Sequence, residues 1–239
     1  MTRSLALAIC AAAAAAASPA SAETRSYTIT NFDRVRVDGP YAVTVRTNSG
    51  SFARATGSAA AIDRVRVRVE GTTLIVGTDP GGWGGYPGSQ AGPVTLEVGT
   101  ANLAIATVNG AGSLTVGDIR GPEFALNMQG SGVATVQRVE VDRLKIGVAG
   151  AGSARLGGRA LAMTAIVRGA GVIDASGVSA RDAVIGAEGP AVVRATVSGT
   201  ARVDASGVAS VTLDGSPSCQ SRTTGTAIVS GCREQVGRR

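Results

Sequence analysis

The chain has 239 residues, 44% of them hydrophobic but only 3% aromatic, with 23 Lys and Arg against 17 Asp and Glu and a formal net charge of +6. It has no His, which excludes triads that use His as the base. Gly is 34 of 239 residues, about twice the usual share, so any core must be thin and filled by Val, Ile, Leu and Ala.

The chain opens like a secretory signal. Arg3 supplies the positive start, Leu5 to Ala17 is an apolar run, and Ala20-Ser21-Ala22 has the small-x-small form of a cleavage site. Residues 1–22 are therefore expected to be a signal peptide cut after Ala22. The run is too short to span a bilayer, which weighs against the alternative of a retained anchor. Cys10 sits early in that run, behind Ile9, and goes with the discarded peptide. Removing 22 residues and Arg3 leaves 217 residues and a charge of +5. No later segment is apolar enough to cross a membrane as a helix. The positive charge would suit anionic partners, but both signs mix along the chain, which is the pattern of ordinary solubilising charge.

Residues 27–108 read as β-rich and irregular. Val35 and Val37 alternate with Arg34 and Arg36, and Val65, Val67 and Val69 alternate with Arg64, Arg66 and Arg68. Leu74-Ile75-Val76 and Val94-Thr95-Leu96 are further strand candidates. A Gly- and Pro-rich loop from Asp79 to Pro93 carries Trp83 and Tyr86. This region is expected to start or cap whatever follows.

Residues 109–233 are repetitive. Small-residue triplets begin at Gly110, Gly130, Gly150 and Gly169, with weaker copies at Gly189, Gly207 and Gly225. The steps are 20, 20, 19, 20, 18 and 18 residues. Two residues after each triplet stands an apolar column: Leu114, Ala134, Ala154, Ile173, Val193, Val211, Val229. Two further on is a second: Val116, Val136, Leu156, Ala175, Ala195, Leu213. Between them every residue is polar, from Thr115 and Thr135 through Arg155, Asp174 and Arg194 to Thr212 and Ser230. Three more columns approach each triplet, ending in Met128, Leu126 and Phe124 in the first full copy. Apolar, polar, apolar at period two is a half-buried strand. Such a repeat cannot bury its face alone, and stacking the copies buries a continuous core. The expected fold is all-β: a parallel β-helix of 18–20 residues per rung, right-handed by the general preference of parallel crossovers. A β-propeller would need blades of about 40 residues.

Cys219 and Cys232 survive export. An even count in an oxidising compartment predicts one disulfide, closing a loop of about 14 residues and contributing about 3 kcal/mol. Two thiolates without His do not make a structural zinc site. Residues 234–239 form a short basic tail.

At this point the chain resembles the head GIN domain family, named for adhesin heads of autotransporters and found in exported bacterial proteins. The resemblance is carried by Phe32-Asp33-Arg34-Val35-Arg36-Val37-Asp38-Gly39-Pro40-Tyr41, by Ile62 to Val76, by the Gly-x-Gly rungs and by the closing Cys219…Cys232 pair, across about residues 27–233. It implies a β-helical fold and an envelope or surface role, and it brings no catalytic residue. Ser113, Val133, Ser153 and Val172 stand where the family's corners carry Asp, so no metal is expected there.

Other chemistry is poorly supported by the residues. The only lysine, Lys145, is followed by Ile146, which does not fit a P-loop. The triplets lack the third Gly and the helix of a dinucleotide site. Nucleic acid is not expected as a partner, given export and the scarcity of stacking aromatics. The rival reading is a polysaccharide-cleaving enzyme on a β-helix scaffold, with Asp174, Arg155 and Arg194 in one outward column; the plainer reading of that column is a cross-rung ion pair. The expectation is thus a non-enzymatic, exported envelope protein, in the periplasm or at the cell surface, without cofactor. It would act as a structural or adhesive module. Its candidate ligand-binding residues are Trp83, Tyr86, Arg64, Arg66 and Arg68, and its candidate partners a glycan or another envelope component.

Overall fold

The structure, a computed structural model, describes residues 22–79 and 92–233. Residues 1–21, read above as a signal peptide and including Cys10, the loop residues Trp83 and Tyr86, and residues 234–239 lie outside the described residues.

Five long strands form the regular body: β9 (Ser113–Gly130), β10 (Val133–Gly150), β11 (Ser153–Arg168), β12 (Val172–Glu188) and β13 (Val192–Gly207). They follow β1 (Glu23–Tyr27), β2 (Arg34–Asp38), β3 (Ala42–Arg46), β4 (Phe52–Gly57), α1 (Ala59–Ile62), β5 (Val65–Glu70), β6 (Thr73–Thr78), β7 (Thr95–Gly99) and β8 (Ile105–Gly110). They precede β14 (Ser210–Asp214), β15 (Ser218–Gly225) and β16 (Ile228–Ser230). Each long strand is one bent coil, and each pairs in parallel with the coil before and after it. This is a parallel β-solenoid.

The columns read from the sequence are the columns of the core. Leu114, Ala134, Ala154, Ile173, Val193 and Val211 stack in register and are buried, with half-buried Val229 last. On the other side Phe124, Leu144, Met163, Ala183 and Ala201 do the same. Removing Leu-sized side chains from water contributes about 2–3 kcal/mol each, and a stack repeats that gain once per coil. The corners explain the triplets. Gly130 has φ +108°, and a Cβ there would lie 2.7 Å from the carbonyl oxygen of Gly110 on the coil below. Only a residue without Cβ lets two backbones approach so closely.

A third inward segment lies between these two sides. Ile119, Val139 and Val178 are buried there, and Val141, Ala160, Ala180 and Val197 line up beside them. Registering on the triplets hides this segment, because the repeat changes length there. The ladder slips between Val136 and Val139, between Arg155 and Gly157, and again between Ala175 and Asp182. These bulges absorb the variation from 20 to 18 residues without disturbing the columns on either side.

The same columns continue toward the N-terminus. Val35 and Val37 sit between Leu74 and Val76 on one side and Ala106 and Val108 on the other. Val43 and Val45 sit between Leu96 and Val98 and between Leu114 and Val116. Stacking order departs from chain order here: β2 and β3 form an inner coil, and the later β6 and β7 lie outside it. Antiparallel strands then end the sheet, with β4 on β7, β1 on β4 and β5 on β6. The single turn of α1, capped by Ser58, buries Ala61 and Ile62.

At the other end, β15 and β16 lie on β13 and β14. Their inward positions turn polar at Ser221 and Thr223, which are exposed. Cys219 and Cys232 form a disulfide with Cα atoms 5.6 Å apart, and both pack half-buried against the last core residues. The bridge ties the crossing chain to the final coil, where the Arg233 N–H donates to the Pro217 carbonyl at 2.9 Å.

Candidate functional site

The alternation in β5 places Arg66 and Arg68 on its exposed side, while Val65, Val67 and Val69 face the core. Both arginines border a hollow of about 230 Å³ with Asp38, Ile75, Gly77 and Thr78. Gly77 forms its floor because no side chain projects there. Arg68 pairs with Glu70 at 2.9 Å. Asp38 receives Arg36 at 2.8 Å and the Asn109 amide at 2.7 Å, so its carboxylate is already occupied on both oxygens. Arg36, Arg66 and Arg68 against Asp38 and Glu70 leave a local excess of one positive charge. That arrangement suits a carboxylate or sulfate group on a ligand.

Arg64 does not join this hollow. It lies before β5 and borders a separate one of about 360 Å³ with Pro40, Tyr41 and Pro93, near the two ends of the Asp79–Pro93 loop. The Tyr41 hydroxyl bonds with the Thr78 hydroxyl at 2.9 Å and donates to the Arg64 carbonyl at 3.4 Å. A stripe spaced by two residues reads as one face in the sequence; the structure splits it, because the strand begins only at Val65. The structure does not describe Trp83 or Tyr86.

In the outward column, Arg155 meets Asp174 at 3.3 Å. Asp174 also accepts the Ser176 hydroxyl at 2.6 Å and the Ser176 N–H at 3.3 Å. The Ser176 hydroxyl, first, and then the Ser176 N–H and Arg155 hold this carboxyl below its usual range. A general base for neutral-pH chemistry needs the opposite shift. Among the described residues no group of three or more His, Cys, Asp or Glu could hold a metal, and no helix is long and apolar enough to cross a membrane.

A larger hollow, about 460 Å³, runs along the third side of the coil. Its walls come from five successive coils, from Arg120 on β9 to Ser198 on β13. The sequence reading missed it, since its residues occupy the stretch where coil length varies. The signal available was a buried aliphatic three residues after the second column, at Ile119, Val139 and Val178.

The fold and these surfaces define a β-solenoid head module. The chain belongs to the family described as "Putative auto-transporter adhesin, head GIN domain", which matches residues 31–217. The chain is accordingly a β-helical, non-enzymatic module of the adhesin-head class. Among solved structures it is similar to a protein described as a putative adhesin from Bacteroides fragilis, at 15% identity and TM-score 0.76, covering 87% of this chain and 95% of that one. It is also similar to a protein described as a putative lipid binding protein from Parabacteroides distasonis, at 17% identity and TM-score 0.67, with 87% and 95% covered. A third, described as a putative adhesin from Parabacteroides merdae, has 16% identity and TM-score 0.60, with 87% and 95% covered. At such identities the likeness concerns the fold. No curated protein matches the chain.

Proposed function

We propose that the chain is exported, loses residues 1–22, and serves at the cell surface or in the periplasm as a stiff contact module for a glycan or another envelope component. The observation that carries this reading is the family match, which spans the column from β2 to β14. In this reading residues 27–108 start and cap the column, residues 109–233 form its shaft, and residues 234–239 are a short tail. Contact falls to the N-terminal end, where Arg66 and Arg68 border their hollow and Arg64 sits near the two ends of the loop that carries Trp83 and Tyr86. The excess positive charge there favours an acidic partner.

The test uses the chain from Glu23 onward. Binding to immobilised acidic glycans and to isolated envelope fractions should weaken at least tenfold in Arg66→Glu/Arg68→Glu and should fall with added salt. Unchanged binding in that variant would remove the proposed contact. Fractionation of cells with N-terminal sequencing should find Glu23 as the first residue outside the cytoplasm. Polysaccharide cleavage that disappears in Asp174→Ala would overturn the non-catalytic reading.

A further inference from the structure

The hollow on the third side of the shaft differs in chemistry from the one beside Arg66. Its residues form a ladder along the column axis. Glu140 stands between Arg120 and Arg159 in adjacent coils, at 3.2 and 3.7 Å. Arg181 meets Asp182 at 3.7 Å, while Asp142 has no ion-pair partner among the described residues. Three guanidinium groups (Arg120, Arg159, Arg181) and two carboxylates (Glu140, Asp142) line the hollow; Asp182, outside it, pairs with Arg181, and with that partner the charges sum to zero. A charged ligand gains little net attraction here. A ligand rich in hydroxyl groups, which both donate and accept, can satisfy both kinds of group at once.

The apolar part of the hollow fits the same ligand. Val141, Ala160 and Ala180 form its floor, and Leu161 stands beside them with 58% of its surface exposed. Small side chains at Ser179 and Ser198 leave its β12–β13 end open. Five coils spaced by about 4.8 Å make a trough about 19 Å long. Charged side chains recur along it at the coil spacing, a pitch close to the advance of one ring in an extended sugar chain.

We propose that this trough is a binding site for an uncharged, linear oligosaccharide lying parallel to the column axis. The C–H faces of the sugar rings pack on Leu161 and Ala160, and the ring hydroxyls bond to Glu140, Asp142, Arg159 and Arg181. The proposal rests on the reading of the chain as a glycan-contact module but uses none of the residues at its N-terminal end.

Calorimetric titration of the chain from Glu23 onward with cellohexaose, chitohexaose and mannohexaose, beside hexagalacturonate, tests it. At least one neutral hexamer should bind with a Kd below about 1 mM. Ser179→Trp, which fills the trough from an exposed position, should weaken that binding at least tenfold. Glu140→Gln should weaken it several-fold with the fold intact by circular dichroism. Asn127→Trp, on the neighbouring side, and Arg66→Glu/Arg68→Glu should leave it unchanged. Binding of the neutral hexamer that survives Ser179→Trp, binding of hexagalacturonate alone, or no binding of any neutral hexamer would each overturn the site. Loss through Arg66→Glu/Arg68→Glu instead would assign glycan contact to the N-terminal end and equally overturn it. If acidic-glycan binding at that end fails while the trough binds, only the earlier reading falls.

Discussion

The shaft from β9 to β13 and the N-terminal region from β1 to β7 share the same inward columns but solve different problems. In the shaft, chain order and stacking order agree, and each coil pairs only with its neighbours. In the N-terminal region β1 lies at the outer edge, the chain crosses to an inner coil at β2 and β3, builds outward, closes the end with antiparallel strands, and returns below through β8. The contrast shows that side-chain alternation chooses which residues face inward, whereas the need to close an open end decides the path of the chain. A solenoid without a cap leaves backbone donors, acceptors and core side chains in water.

A glycine at a coil-to-coil contact of the shaft should tolerate substitution far less than the turn glycine Gly71 at the end. In Gly158→Ala the new Cβ would lie 2.1 Å from the Val139 carbonyl oxygen, at φ +121°. A loss of about 4 kcal/mol or more is expected, read by denaturant unfolding. Gly71→Ala, in the turn between β5 and β6, meets nothing within 4 Å at φ +60°. Its cost should stay near 1 kcal/mol. Equal costs would erase the contrast.

Core truncation should follow the same order. Leu126→Ala, in a fully buried column, should cost about 3 kcal/mol. Val69→Ala, half-buried on the edge strand β5, should cost about 1 kcal/mol on area lost.

The C-terminal end supplies a third case, since a covalent bond takes part in its closure. Reducing Cys219–Cys232 should cost up to about 3 kcal/mol. Hydrogen exchange should accelerate first in β15 and β16, with β9 to β12 little changed. Uniform acceleration along the shaft would mean that the ends are not independently closed.

The smallest effect concerns pH. The folded-state carboxyls of Asp174, Asp182 and Glu123 are all held below their usual range: by the Ser176 hydroxyl, by the Thr200 hydroxyl, and by Lys145 then Arg143. A group depressed on folding stabilises the fold above its unfolded value and loses that contribution as pH falls through the folded one. Stability should therefore decline modestly below about pH 4, and Asp174→Asn should flatten part of that decline in urea titrations. No change in slope would show that solvent screening has cancelled the Arg155 and Ser176 contacts.

The candidate sites were only partly legible beforehand. Arg66 and Arg68 stand out because alternation with valines puts them on one side of a strand. Arg64 shares their spacing but not their environment, since a one-turn helix and not a strand precedes Val65. The trough was harder to read, because its members sit some 20 positions apart in a stretch where four register shifts scramble the count.

The amino-acid sequence by itself determined the solenoid, its columns and its corners, from Leu114 through Val229 and from Gly110 through Gly225. Period-two alternation repeated about every 20 residues has one economical way to hide its aliphatic side chains. Only the tertiary structure decided the third inward side, the outward placement of β6 and β7, and the grouping of Glu140 with Arg120 and Arg159. Those features depend on bulges and on pairing between distant segments, and backbone hydrogen bonding and end closure settle them through contacts that local residue patterns do not encode.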